Sequence, residues 1–176
     1  MSKKETKVEN DVNPDVRKSK PVFRRMLLLF LIITSIGLTS CGDEAFFSET
    51  REIGGTWKAA DGQEFTFPVE DTIAGYNIYF DLRTTTDYRW QNIFIFMDME
   101  RDGALVLRDT FEIDLADKTG KWTGEPTGTL VDNHIRILDE FVFPSPGEYT
   151  IRIEQAMREM ELSEISDVGL SIYPAD

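Results

Sequence analysis

One cysteine, Cys41, and one histidine, His134, bound the side-chain chemistry open to this 176-residue chain. Cys41 closes the tetrapeptide Leu38-Thr39-Ser40-Cys41, directly behind the basic pair Arg24-Arg25 and the apolar run Met26–Leu38. A basic flank, an apolar core and small residues before a cut site make a secretory signal peptide. The closing tetrapeptide has the pattern of a lipobox, in which the cysteine becomes the first residue of the mature protein. That chemistry needs a thiol, because a thiolate attacks the diacylglyceryl donor and forms a thioether. As a helix the apolar run spans about 20 Å, short of a hydrocarbon core of roughly 30 Å, so it reads as a signal and not a permanent span. One acyl chain anchors only marginally. The diacylglyceryl and N-acyl (palmitate) groups expected on Cys41 together suffice.

The remaining residues offer little chemistry. A Ser-His-Asp triad would have to use His134, but Asp132-Asn133-His134 reads as a turn entering a strand, with a structural or exposed histidine. The several His or Cys ligands of a zinc site are absent, and so is a Gly-rich phosphate loop. Asp114, Asp117 and Gly120 hint at a calcium loop, but their spacing is not that of an EF-hand, and a solvated acidic turn accounts for them. Chance alone brings some carboxylates close, so a glycosidase pair has no specific signal here. The expectation is no catalytic residue, no metal and no cofactor beyond the covalent lipid, with no small-molecule substrate. Tyr88, Trp90 and Trp122 are the candidate interaction residues. They sit in loop-like surroundings, where aromatics anchor protein interfaces, stack on sugars or cap a core. Asn92 and Asp109, beside the strands, read as structural.

Charge narrows the partners. Of 19 basic and 32 acidic residues, 8 and 4 precede Cys41, which leaves 11 and 28 after it, a net of −17 with His134 neutral. Nucleic-acid binding needs clustered cations and is excluded. Adhesion of the domain to anionic headgroups is disfavoured, and solubility is the simplest consequence of the acidity. With one cysteine no intramolecular disulfide forms, so packing must stabilise the fold.

The elements that would carry these residues are strands. Residues 1–25 form a polar basic leader whose first 20 residues read as disordered, 26–40 the apolar signal and lipobox, 41–55 the lipidated cysteine and a tether, and 56–176 the folded domain. Thr56–Lys58 and Glu64–Val69 are short runs around Asp61-Gly62. Tyr76–Arg83 alternates, with Tyr76, Ile78, Phe80 and Leu82 on one face and Asn77, Tyr79, Asp81 and Arg83 on the other. Asn92–Glu100 is apolar on both faces, as in a central strand. It pairs through Arg101-Asp102-Gly103 with Leu105–Leu115, where Leu105, Leu107, Asp109, Phe111 and Ile113 share a face. Asp117–Thr129 reads as a loop and Ile135–Val142 as a bent strand. Pro144-Ser145-Pro146-Gly147 is a turn, Glu148–Ala156 alternates again and Val168–Tyr173 closes the chain. Met157–Leu162 is the only helix-compatible stretch. About eight strands with Gly, Pro and Asp turns predict an all-β fold, an antiparallel two-sheet β-sandwich of jelly-roll or Ig-like topology.

Four segments carry a family resemblance: Tyr76–Asp98, Arg108–Gly124, Val142–Glu159 and Ile165–Tyr173. Together, in this order and behind a lipobox, they resemble the gliding-motility lipoprotein family GldH. The resemblance implies a membrane-anchored, non-enzymatic lipoprotein required for gliding. It would act with protein partners in the envelope machinery that couples motility to type IX secretion. Only the lipobox cysteine, here Cys41, carries over as a functional residue. The implied location is the cell envelope, by lipid anchor at the outer membrane, with its periplasmic and outer faces both open. Asp43 and Glu44 read equally as a charged spacer and as a resemblance to an acidic surface-sorting signal. The alternative is a surface glycan-binding β-sandwich.

Overall fold

The computed structural model describes residues 44–175, and among them there are nine strands and no helix. Leu38, Thr39, Ser40, Cys41 and the leader before them lie outside the described residues. The strands are β1 (Phe47–Lys58), β2 (Gln63–Val69), β3 (Tyr76–Thr85), β4 (Asn92–Arg101), β5 (Ala104–Asp114), β6 (Glu125–Thr127), β7 (Leu130–Phe141), β8 (Gly147–Gln155) and β9 (Glu161–Pro174). They form a five-stranded sheet in the order β1-β9-β3-β7-β6 and a four-stranded sheet in the order β2-β8-β4-β5. Every pairing is antiparallel. The partners β1/β9, β2/β8, β3/β7 and β4/β5 trace one long hairpin folded over on itself. That connectivity makes the sandwich a jelly roll and not an Ig-like fold, with β6 a three-residue addition to one edge.

Alternation builds the core. Tyr76, Ile78, Phe80 and Leu82 point inward from β3, and Tyr149, Ile151 and Ile153 from β8. Ile93, Ile95, Met97 and Met99 do so from β4, and Val168, Leu170 and Ile172 from β9, in one continuous cluster. Each such side chain contributes about 1.5–3 kcal/mol by leaving water, which is how the fold holds without a disulfide. The β4–β5 turn is the two-residue hairpin that Asp-Gly specifies: Asp102 and Gly103 both have positive φ, 49° and 79°.

Four expectations change. The strand at the start of the domain begins at Phe47, inside the region read as a tether. Its outward residues on this sheet edge are polar, and Gly54-Gly55 is a bulge with positive φ, not a break. β7 begins at Leu130, so Asp132-Asn133-His134 lies within a strand. Asp132 and His134 face solvent, while the buried Asn133 donates its amide to the Leu82 carbonyl, and so turn-forming residue types are accommodated. β9 extends back to Glu161, so residues 157–160 form a bend and 161–162 the start of a strand, in place of a helix. A register shift between Met99 and Glu100 pairs Glu100 with Leu105, which turns Leu105 outward while Val106 packs on the core.

Candidate functional site

The β3–β4 and β8–β9 connections meet at one end of the sandwich and enclose a groove of about 460 Å³, lined by Trp90, Asn92, Phe94, Ala156, Met157, Arg158 and Glu159. The frame is set by backbone hydrogen bonding. Past the end of β8, Ala156 N donates to the Phe94 carbonyl at 2.7 Å, and Phe94 N points at Met157 Sδ at 3.3 Å. Gln155, buried, ties down the rest of the loop. Its Oε1 accepts from Met157 N at 2.8 Å, and its Nε2 donates to the Glu159 carbonyl at 2.8 Å. A buried amide that meets two backbone groups fixes a loop, because leaving either group unpaired is costly.

Trp90 forms one wall and is 37% exposed. Its ring carries the Arg89 guanidinium at 5.1 Å from the centroid, and that guanidinium lies 3.5 Å from a Glu159 oxygen. Arg89 therefore links the two loops by a cation–π contact and an ion pair. Phe94 forms the floor, and Phe96, exposed, continues the apolar row along the outer face of the four-stranded sheet. Asn92, on the groove's rim, is fixed by its amide, which donates to Glu112 Oε1 at 3.0 Å.

The three aromatic candidates separate. Tyr88 is only 4% exposed and belongs to the core. Its hydroxyl donates to the Asn92 carbonyl at 3.1 Å, and burial, with the Glu159 charge adding to it, pushes its ionisation up. It positions the groove from beneath and offers no surface. Trp122 is half-buried against the core and bridges to Ala116, away from the groove. Only Trp90 is a wall of the groove. Phe94, Gln155 and Met157 were not singled out by sequence. The signal for Phe94 was the apolar character of β4 on both faces, since the outer face of a two-layer sandwich has no third layer to cover it.

A second polar cluster lies on the outer face of the five-stranded sheet. His134 stacks on Tyr79 with centroids 4.1 Å apart and planes 6° from parallel, and Tyr173 meets both rings edge-on. His134 Nδ1 lies 2.5 Å from Asp81 Oδ1, and the Ser171 hydroxyl donates to Asp81 Oδ2. Serine, histidine and aspartate thus come together in the wrong order. A triad needs the imidazole between hydroxyl and carboxylate, whereas here the carboxylate stands in the middle and no base faces the hydroxyl. Beside them Arg83 engages Asp132 at 2.5 Å and Asp167 at 3.6 Å.

The acidic turn explains itself. Asp117 Oδ1 accepts from Thr119 N, Thr119 Oγ1 and Lys121 N, at 2.8, 2.6 and 3.0 Å, and these bonds hold its carboxyl below the usual range. Asp98 is held down by the two-pronged Arg108 guanidinium, at 2.6 and 2.5 Å. Backbone N–H groups of Ile73 and Ala74 hold down Asp71. Among the described residues the three displaced carboxyls, Asp71, Asp98 and Asp117, are all displaced downward, opposite to what a general acid requires. Among the described residues no three His, Cys, Asp or Glu side chains are grouped to hold a metal, and no helix is long and apolar enough to cross a membrane.

Residues 45–172 match the family described as GldH lipoprotein. The chain is 27% identical over 156 residues to the gliding motility lipoprotein GldH homolog of Christiangramia forsetii, covering 85% of this chain and 96% of that protein. It is 28% identical over 153 residues to the gliding motility lipoprotein GldH of Flavobacterium johnsoniae, covering 83% and 95%. Among solved structures, the dimeric latent PorU of Porphyromonas gingivalis aligns with a TM-score of 0.31 at 9% identity, over 78% of this chain and 14% of that one. A likeness that slight carries no argument.

Proposed function

The chain belongs to the GldH lipoprotein family, and from that membership we propose how it works within gliding motility. Its relatives are named gliding motility lipoproteins, which supports a membrane-anchored protein of the cell envelope. Acyl groups on Cys41 provide the anchor, at the outer membrane. The jelly roll acts without catalysis, as a component or assembly factor of the envelope gliding and type IX secretion machinery. It binds a protein partner through the Trp90–Phe94–Met157 groove.

One observation carries this reading: the groove is apolar, is built on a hydrogen-bonded frame, and has no activated nucleophile or base facing it. Aromatic side chains beside an arginine are the composition of interface anchors. Glycan binding is the second reading, favoured by the exposed Trp90 ring; the Arg89 guanidinium over that ring counts against sugar stacking there.

The test is capture from gently solubilised envelopes with a tag after Asp176, in parallel with Cys41→Ala. The expected result is motility or secretion components that accompany the wild type and are lost with Cys41→Ala. Recovery of the protein alone at native expression, together with robust sugar affinity, would overturn the assembly reading in favour of glycan binding.

A further inference from the structure

The end of the sandwich opposite the groove has a different surface. There the β2–β3 connection (70–75), the Asp102-Gly103 turn and the β7–β8 connection (142–146) meet residues 44–46 and Ala175. The loops are joined to one another: Ala175 N donates to the Gly75 carbonyl at 2.8 Å and Asp102 N to the Glu148 carbonyl at 3.0 Å. Four of the seven exposed large apolar side chains among the described residues lie at this end, namely Phe46, Ile73, Leu105 and Val142. Ile73 is 91% exposed, yet it is held in place, because Asp71 Oδ1 accepts from Ile73 N at 2.8 Å and Ala74 N at 3.2 Å. Beneath the tips lies a packed aromatic floor. Phe46 stands 5.1 Å from Tyr76 and 6.1 Å from Phe67, and Phe143, beside Val142, stands 5.4 and 6.0 Å from the same two rings. Apolar tips presented on a fixed frame mark a binding surface.

The length of chain before Phe46 identifies what covers them. Four residues stand between Cys41 and Phe46, and a chain spans at most about 3.6 Å per step, so the Cα of the acylated cysteine stays within about 18 Å of that of Phe46. A bilayer that holds the acyl chains therefore adjoins this end. Charge selects the kind of bilayer. Glu44, Glu70, Asp71, Asp102, Glu140 and Glu148 surround the tips, with Arg101 the one basic side chain among them. Such a rim is repelled by anionic headgroups and is compatible with the ammonium groups of zwitterionic ones.

We propose that this end rests on a zwitterionic phospholipid surface, with Phe46, Ile73 and Val142 in its interfacial layer. The inference rests on the Cys41 anchor proposed above. The ten residues of β4 rise about 3.3 Å each, so the groove is carried about 30 Å from the lipid, in a fixed orientation.

The test uses the mature lipidated protein in phosphatidylcholine vesicles. When Cys41 is a thioether, an added cysteine is the only free thiol, so an environment-sensitive fluorophore is placed at Ile73→Cys, at Val142→Cys and, at the groove end, at Met160→Cys. The expected result is a blue shift and quenching by doxyl-labelled lipid at the first two positions and not at the third, weakened when phosphatidylglycerol is added. Water-like emission at Ile73→Cys and Val142→Cys, or equal quenching at Met160→Cys, overturns the proposal. Shielding found only in native envelopes overturns it too and assigns the surface to a protein. Intact mass and labelling of the parent protein separate the two readings: a parent that labels at Cys41 refutes the anchor and this inference together, whereas a correct lipidated mass with water-like probes refutes the resting surface alone.

Discussion

His134 Nδ1 lies 2.5 Å from Asp81 Oδ1, on a carboxylate whose other oxygen receives the Ser171 hydroxyl. The carboxylate joins β3 to β7 on one side and to β9 on the other, so the cluster fastens the five-stranded sheet. Purified protein should not react with a fluorophosphonate probe, and Ser171→Ala should change nothing in that assay. Labelling of the wild type that disappears in Ser171→Ala would contradict a non-catalytic role. Asp81→Ala should cost about 1 kcal/mol, a small figure because the cluster is partly open to water. The shift is readable as a lower urea midpoint.

Gln155 should matter more than its single position suggests. Replacement by Ala strands Met157 N and the Glu159 carbonyl at a partly buried site. A loss of about 1–3 kcal/mol is expected, with faster hydrogen exchange confined to residues 156–160. Partner capture should fall in proportion to that local opening.

Acid should remove a defined contribution from the 117–121 turn. Hydrogen bonds from Thr119 and Lys121 lower the folded Asp117 carboxyl below its ordinary value of 3.8. A depressed folded pKa gives stability that is present above the unfolded value and lost as pH falls through the folded one. Asp117→Ala should therefore have a lower urea midpoint than wild type at pH 7. The two midpoints should converge as pH drops below 3.8. A difference that persists unchanged into strong acid would remove the carboxylate from the explanation.

Gly124 is a packing requirement of the β5–β6 connection. A Cβ there would stand 2.5 Å from the Asp132 carbonyl oxygen and 2.4 Å from Asn133 Oδ1. The carbonyl belongs to a strand and cannot swing aside, so Gly124→Ala should cost about 1–3 kcal/mol by overpacking. Thermal unfolding of that variant beside Gly103→Ala, which meets open space but has positive φ, separates steric from backbone effects.

Much of this fold was legible in residue alternation. Tyr76–Arg83 disclosed both of its faces, and Asp102-Gly103 disclosed its hairpin, because period-two burial and positive φ leave marks on residue type. β1 and the start of β7 were hidden for the opposite reason. Their outward residues are charged or turn-forming, and a solvent-facing side of a strand accepts either. The site was half legible. Trp90 stood out as an aromatic in a polar connection. Tyr88, two residues before it, turned inward, and Trp122 fell outside the groove. Gln155 and Met157 gave no signal, since their role comes from a loop that continues β8 alongside β4. Cys41 rests on the sequence alone and lies outside the described residues.

The most direct measurement is surface spreading of a motile strain that lacks this gene, complemented in turn with wild type, Cys41→Ala and the double variant Trp90→Ala/Phe94→Ala. Wild type should restore spreading. Both variants should fail to do so while the proteins accumulate to normal levels, and the purified double variant should unfold cooperatively. Full spreading with the double variant would contradict the groove as the contact that matters. Full spreading with Cys41→Ala would contradict the membrane anchor on which the account stands.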